Sequence, residues 1–224
     1  MNRYYLVGST SLLLRCVKYL LENEYTIVGV CSPDEETKIF CQENNIIYTP
    51  FLDNINNYDY DILLSIVNFG YLKKKIIKKA RKYALNYHDS LLPKYAGINA
   101  STWSIYNGEK IHGVTWHTLV EEIDAGEIVE QETINIRIDE TSYSLNIKCQ
   151  NLGYELFKKI IINIEKVLCL NLIKQDLKSR SYFPQNKKFP DFGIINKVRY
   201  GSQVKRMFMS SYFGPGYRNT VGLC

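Results

Sequence analysis

The chain is poor in the residues that most metal and thiol chemistry needs. It holds three histidines, His88, His112 and His117, and six scattered cysteines (Cys16, Cys31, Cys41, Cys149, Cys169 and Cys224). No C-x-x-C pair exists and no cysteine neighbours a histidine, so zinc-type spacing is absent. A disulfide framework is not expected in a chain of this length without a secretory leader, and the thiols read as reduced and mostly buried. Met1–Gly8 has no apolar h-region or cleavage site. Nothing approaches the ~18 unbroken apolar residues of a membrane span, since Lys158–Leu172 is interrupted by Asn163, Glu165 and Lys166. The expectation is a cytoplasmic protein with no membrane contact. G-x-G-x-x-G and a Walker lysine are also missing. Gly8-Ser9-Thr10-Ser11 therefore reads as a tight strand-to-helix turn with a Ser or Thr cap, not as a phosphate loop. There are no repeats and no low-complexity tract.

What remains is an ordinary globular composition, 46% hydrophobic and 23% charged over 224 residues. That length suits one main domain with a small appendage. The net charge of +5 is uneven, because residues 155–224 carry 13 Lys and Arg against 4 Asp and Glu. The bias fits a solvated basic surface, or a surface for nucleic acid, phosphates or an acidic protein partner.

Strand and helix signals alternate through the first half. Tyr4–Gly8, Thr26–Cys31, Asp61–Val67 and Tyr83–His88 read as buried strands, with a shorter strand at Ile46–Tyr48. Ser9–Glu22, Asp34–Asn44 (which Asp34 would cap) and Leu72–Lys79 read as helices. Such alternation predicts a parallel sheet covered on both faces. The pattern then changes to strands at Gly113–Leu119 and Glu127–Ile138, joined by the acidic Val120–Gly126 segment, and a long helix over Thr141–Leu170. After Gln175, Pro and Gly break the chain into short pieces. The division expected is residues 1–175 as a main domain and 180–224 as a small C-terminal segment.

Asn86 and His88 lie on one face at the C-terminal end of a predicted strand, where open parallel sheets place ligands. Side by side, a carboxamide and an imidazole can hold a carbonyl oxygen. The plainer alternative is a strand-end histidine satisfied by its own following loop. That loop, Ser90-Leu91-Leu92-Pro93-Lys94-Tyr95-Ala96-Gly97, has adjacent leucines that need a core or an apolar ligand. Asp124, between Ile123 and Ala125-Gly126, reads as partly buried, which would raise its proton affinity and suit proton transfer. Glu121 and Glu122 read as solvent-facing, as does His112. Trp103 and Trp116 read as core.

Several stretches occur in the order and spacing of the folate-dependent formyltransferases, which the chain resembles. They are Asn86-x-His88, Ser90–Gly97, Trp103–Glu109, Gly113-Val114-Thr115-Trp116-His117 and Asp124-Ala125-Gly126-Glu127-Ile128. The likeness is densest over residues 60–135. It implies an α/β, Rossmann-like formyltransferase fold, with a mostly parallel central sheet flanked by helices and a short C-terminal appendage. It also implies that an amine attacks the formyl group of the co-substrate 10-formyltetrahydrofolate. Asn86 and His88 would stabilise the oxyanion and Asp124 would orient His88 and relay the proton, with His117 supporting. No metal and no covalent enzyme intermediate is implied. Phe69-Gly70-Tyr71-Leu72, Ser90-Leu91-Leu92-Pro93 and Val120-Glu121-Glu122-Ile123 would line the folate pocket.

The acceptor is read from departures. The glycinamide ribonucleotide branch has a Gly-Asn-Gly-type phosphate loop that is absent here. The methionyl-tRNA branch has a basic insertion where this chain has acidic Ser32-Pro33-Asp34-Glu35-Glu36-Thr37, which opposes nucleic acid. It also has a C-terminal barrel, for which the residues after Gln175 are too few. Ser11–Cys16, Gly97–Ala100, Val114–His117, Ser144–Cys149 and Phe213–Asn219 look most like formyltransferase modules of hybrid peptide–polyketide assembly lines. The expected acceptor is an aminoacyl group on an acidic carrier protein, or the amino compound of such a pathway. A sugar-nucleotide amine, a methionyl-tRNA-type substrate and hydrolysis of formyltetrahydrofolate are the alternatives.

Overall fold

A computed structural model describes residues 2–166, 169–187, 194–195, 201–212, 214 and 222–223. Tyr4 and Leu6 of β1 (Arg3–Gly8) pack on one face of the sheet, Tyr5 and Val7 on the other. This explains why β1 is apolar throughout rather than alternating. It pairs in parallel with β2 (Thr26–Cys31) and β4 (Ile62–Ile66). β2 pairs in parallel with β3 (Tyr48–Thr49), and β4 with β5 (Tyr83–His88). After the two-residue β6 (Ala96–Gly97), β7 (Ile111–Thr118) joins β5 antiparallel, and β8 (Ile128–Asn135) joins β7 antiparallel. The seven-stranded order is β3-β2-β1-β4-β5-β7-β8. This is a mostly parallel α/β sheet with flanking helices.

Of the helices, α1 (Thr10–Glu22) buries Leu12, Leu13, Cys16, Val17 and Leu20. Its entry is not a phosphate site. The Thr10 N–H donates to the Asp34 carboxylate (2.6 Å), and Ser9 Oγ donates to the Val67 carbonyl rather than capping the helix. Asp34 does precede α2 (Glu35–Glu43), but its side chain makes no cap there because it faces α1. Gly8 has φ +149°, and a Cβ on it would stand 1.7 Å from the Ile66 carbonyl oxygen. Gly8→Ala is therefore expected to destabilise the fold by more than about 1 kcal/mol, read as a lower urea midpoint at unchanged slope.

Two helices differ from expectation. The Leu72–Lys79 helix shrinks to a single turn, α3 (Lys74–Ile77). Its lysines repel one another at helical spacing and are drawn elsewhere, Lys73 to Asp53, Lys74 to Glu121 and Lys79 to Asp59. Conversely α4 (Ala100–Asn107) was not read as a helix. Ala100–Ile105 are all buried, so no polar face announces it. It opens at Asn99 and closes at Gly108, both left-handed.

The long helix α5 (Ser142–Glu165) begins on a capping box between Thr141 and Ser144. It lies across β5 and β7 at Gly153, where a Cβ would meet the Tyr87 ring and where the carbonyl accepts from the Trp116 indole (2.9 Å). Trp103 and Trp116 are buried as expected. So are Cys16, Cys31, Cys41 and Cys149, all free thiols, whereas Cys169 is exposed. The Phe213–Asn219 likeness falls outside the described residues except for Gly214.

The C-terminal segment does not stand apart. β9 (Tyr182–Phe183) pairs in parallel with β6, and the helix over Gly201–Ser211 rests on α4 and α5, with Ser142 Oγ donating to the Ser210 carbonyl. Among the described residues, no helix is long and apolar enough to cross a membrane.

Candidate active site

Register brings the first groups together. In the β5–β7 pair, Asn86 lies opposite His117 and His88 opposite Thr115, so the Asn86 and His117 side chains meet across the strands. The turn between β7 and β8 then returns Asp124 over this end of β5. Asp124 sits at φ +53°, and a Cβ on Gly126 would collide with the Thr118 carbonyl at 1.7 Å. A short polar residue followed by glycine is what so sharp a reversal tolerates.

The carboxylate lies between two imidazoles. Oδ2 is 3.6 Å from His88 Nδ1, and Oδ1 is 3.5 Å from His117 Nε2. The Gly97 N–H donates to Oδ2 at 2.8 Å. His88 Nε2 faces the Tyr95 carbonyl at 2.8 Å, which can only accept, so that nitrogen carries a proton. His117 Nδ1 likewise donates to the Thr118 carbonyl (2.9 Å), leaving Nε2 to accept from the Asn86 amide (3.1 Å). The second Asn86 amide hydrogen goes to the Tyr87 carbonyl.

The expected rise in Asp124 proton affinity is overturned. Burial does push its carboxyl up, but attraction to the imidazoles of His88 and His117, with the hydrogen bond from the Gly97 N–H, outweighs it and holds the carboxyl well below the ordinary range. Desolvation is offset by three neighbours that prefer the anion. A carboxyl stabilised this way adds stability above its unfolded pKa of about 3.9, and loses it as pH falls through the lower folded value. The Asp124 carboxyl carbon is therefore expected to keep its ionised NMR shift at pH 4, where ordinary aspartates are half protonated. A midpoint near 4 would contradict this.

His112 also corrects the sequence reading. It is 2% exposed, beneath the Tyr95 ring, and burial lowers its pKa. Its Nε2 has no hydrogen-bond partner among the described residues. Glu121 and Glu122 are solvent-facing as expected.

The remaining sequence candidates divide into an exposed set and a buried one. Phe69 (82% exposed), Tyr71, Val120 and Ile123 are open apolar side chains. The Lys74–Glu121 ion pair ties their two segments together. Gly70 lies between Phe69 and Tyr71, while Leu72 is buried in the core beside Leu119. Ser90 and Leu92 are buried, and the Leu92–Pro93 peptide is cis. Thr115 Oγ1 donates to the Ser90 carbonyl, and Gln131 Nε2 donates to the Leu92 carbonyl. Leu91 packs where a Cβ on Gly113 would fall. A cavity of about 400 Å³ is bounded by Leu91, Lys94, Tyr95 and residues 108–112, and includes none of Asn86, His88, His117 or Asp124. No group of three or more His, Cys, Asp or Glu is placed to hold a metal ion among the described residues.

Sequence reasoning missed the Tyr95 carbonyl and the Gly97 amide as partners of His88 and Asp124, although their loop was singled out. It also missed Gln175 and Arg180, which grip the Asp124 turn and follow no motif in the sequence.

Comparison with known families decides what this arrangement belongs to. The formyl transferase family model matches residues 26–161, which include Asn86, His88, His117 and Asp124. The chain belongs to that family. The methionyl-tRNA formyltransferase of Clostridioides difficile is 30% identical over 71% of this chain and 58% of its own length. The GDP-perosamine N-formyltransferase of Brucella melitensis is 29% identical over 71% of this chain and 60% of its own. The chain thus spans about 60% of the length of these curated relatives. In fold it is similar to the N-formyltransferase of Helicobacter canadensis, solved with folinic acid and dTDP-3-aminofucose. There the TM-score is 0.81 at 24% identity, over 94% of this chain and 80% of that one. It is also similar to a 4-N formyltransferase of Francisella tularensis, with a TM-score of 0.82 at 22% identity over 98% and 91% of the two chains.

Proposed function

We propose that this protein transfers the formyl group of 10-formyltetrahydrofolate to an amine, and that Asn86, His88 and Asp124 carry the reaction. The observation behind this reading is the Asp124 carboxylate placed between two imidazoles with the Asn86 amide alongside, in a member of the formyl transferase family. The amine nitrogen bonds to the formyl carbon and the carbonyl oxygen takes the charge. Collapse breaks the bond to folate nitrogen. The amine's proton passes through Asp124 and water to that leaving nitrogen.

The Asn86 and His88 donors have protein acceptors in His117, Tyr87 and Tyr95. The incoming oxygen would replace one such acceptor on each. His117 supports by fixing the Asn86 amide. Phe69, Gly70, Tyr71, Leu72, Ser90–Pro93 and Val120–Ile123 would receive the folate, with Phe69, Tyr71 and Ile123 packing its faces. Residues 1–175 act as the catalytic domain, and 180–224 as an appendage joined to it through β9.

For the acceptor we favour a nucleotide-linked amino sugar. The support is the solved sugar N-formyltransferases whose fold matches 94–100% of this chain, and the GDP-perosamine enzyme among its relatives. A carrier-bound aminoacyl group is the second reading, favoured by the segments resembling assembly-line modules. The test is tetrahydrofolate release from 10-formyltetrahydrofolate with nucleotide amino sugars, an aminoacyl carrier protein, methionyl-tRNA or no amine. Product with an amino sugar alone is expected. Release without amine would mean a hydrolase. Folinic acid binding without turnover would leave only a folate-binding protein.

A further inference from the structure

We propose that Gln175 and Arg180 are positioning residues that hold the Asp124 turn in its reactive geometry. This rests on the formyl-transfer reading above. The turn over residues 122–126 is a strained place to carry a reacting group, with a left-handed Asp124 and a Gly126 that has no room for a side chain. Its own backbone closes it with one internal bond, Ala125 N–H to the Glu122 carbonyl (3.3 Å), above the Thr118–Glu127 pair at its base, and the stretch Gln175–Ser181 adds the rest. The Gln175 amide donates one hydrogen to the Asp124 carbonyl (2.9 Å) and the other to the Gly126 carbonyl (2.6 Å). Two carbonyl acceptors settle which end of the carboxamide faces them. The Arg180 guanidinium reaches the preceding residues, Nη1 to the Glu122 carboxylate (2.5 Å) and Nη2 to the Ile123 carbonyl (2.6 Å). Two side chains thus fix four points across five residues, on both sides of the Asp124 peptide.

The same stretch then crosses to the other loop of the site. Ser181 Oγ accepts from the Tyr95 N–H (2.8 Å), and the Ser181 and Phe183 carbonyls accept from Ala96 and Ile98. Tyr95 supplies the carbonyl on His88, and Gly97 the amide on Asp124. One strap therefore sets the separation between the imidazole and the carboxylate. It touches neither reacting atom. Gln175 bonds to none of the folate-lining residues, so the effect of Gln175 should fall on turnover and not on folate affinity. Arg180 holds Glu122 and Ile123 and should also reach the folate KM.

The test compares Gln175→Met and Arg180→Lys with Asp124→Asn in the full chain. Gln175→Met keeps side-chain length and removes both donors. Arg180→Lys keeps the charge and loses the fork. The expected result for Gln175→Met is a kcat lower by about 10- to 100-fold, with the folate KM and folinic acid affinity within about threefold of the parent. Arg180→Lys should show a smaller loss and provides the test if Gln175→Met does not fold. Because the chain has only three histidines, imidazole nitrogen NMR gives a readout without turnover. The His88 and His117 signals should shift in both variants while His112 stays fixed. Unchanged kcat with unmoved His88 and His117 signals would overturn the proposal. Full activity in Asp124→Asn would instead remove Asp124 from the reaction, and a parent without amine-dependent formyl transfer would overturn the formyl-transfer reading. The histidine signals would report on the strap in either case.

Discussion

Asp124→Asn is expected to lower formyl transfer by about 1,000-fold or more, within the upper part of the range for a lost acid–base group. It should leave folinic acid binding nearly unchanged. Asparagine keeps the shape, adopts positive φ at least as readily as aspartate, and retains an oxygen to accept from the Gly97 N–H. What disappears is the charge that His88 and His117 share, and with it the route for the amine's proton. Because the native carboxyl is held ionised, no rise in pH near neutrality can restore the variant. Circular dichroism and folinic acid titration would establish that the protein is folded, and single-turnover kinetics would locate the loss in chemistry. Turnover within tenfold of the parent would remove Asp124 from the reaction.

The second large effect is expected from Asn86→Ala, a fall in kcat of about 100- to 1,000-fold, typical of a missing oxyanion donor. Here the structure adds a secondary consequence. The Asn86 amide is also the donor to His117 Nε2, so its removal leaves that nitrogen facing the Asp124 carboxylate without a donor. A His117→Gln variant should therefore lose less than Asn86→Ala, because glutamine still offers an oxygen to the Asn86 amide. Equal losses would show that His117 does more than hold Asn86. Asn86 is half-buried at a strand end, so stability should move little.

How much of this could be read before the structure depended on the kind of signal. β1 and β4 are near-continuous apolar runs, β5 alternates toward its end, and these strand patterns set among amphipathic helices carry the parallel sheet. Asn86 and His88 were legible for the same reason, since alternation alone puts them on one face. α4 was hidden because burial on every side erases the helical stripe. His112 looked like a surface residue because nothing local reveals that Tyr95, from a loop seventeen residues earlier, folds over it. Asp124 is partly buried as expected, but its carboxyl lies below the ordinary range and not above it. Burial is guessable from neighbours in sequence, whereas His88, His117 and the Gly97 amide reach it only through the fold. Gln175 and Arg180 were invisible for that reason too, because their partners lie about fifty residues away.

The parallel bridge between β6 and β9 also sets an order of events during synthesis. Ser181 lies 86 residues beyond Tyr95. At roughly 5–20 residues per second, the ribosome makes Asn86, His88, His117 and Asp124 seconds before the stretch Gln175–Phe183 that bonds to their loops. The amides of Tyr95, Ala96 and Ile98 meanwhile have only water to bind. A nascent polypeptide can thus hold Asn86, His88, His117 and Asp124 before the bonds from Gln175–Phe183 to their loops exist. The two loops that carry Asp124 and Tyr95 are bridged by chain made well after both of them.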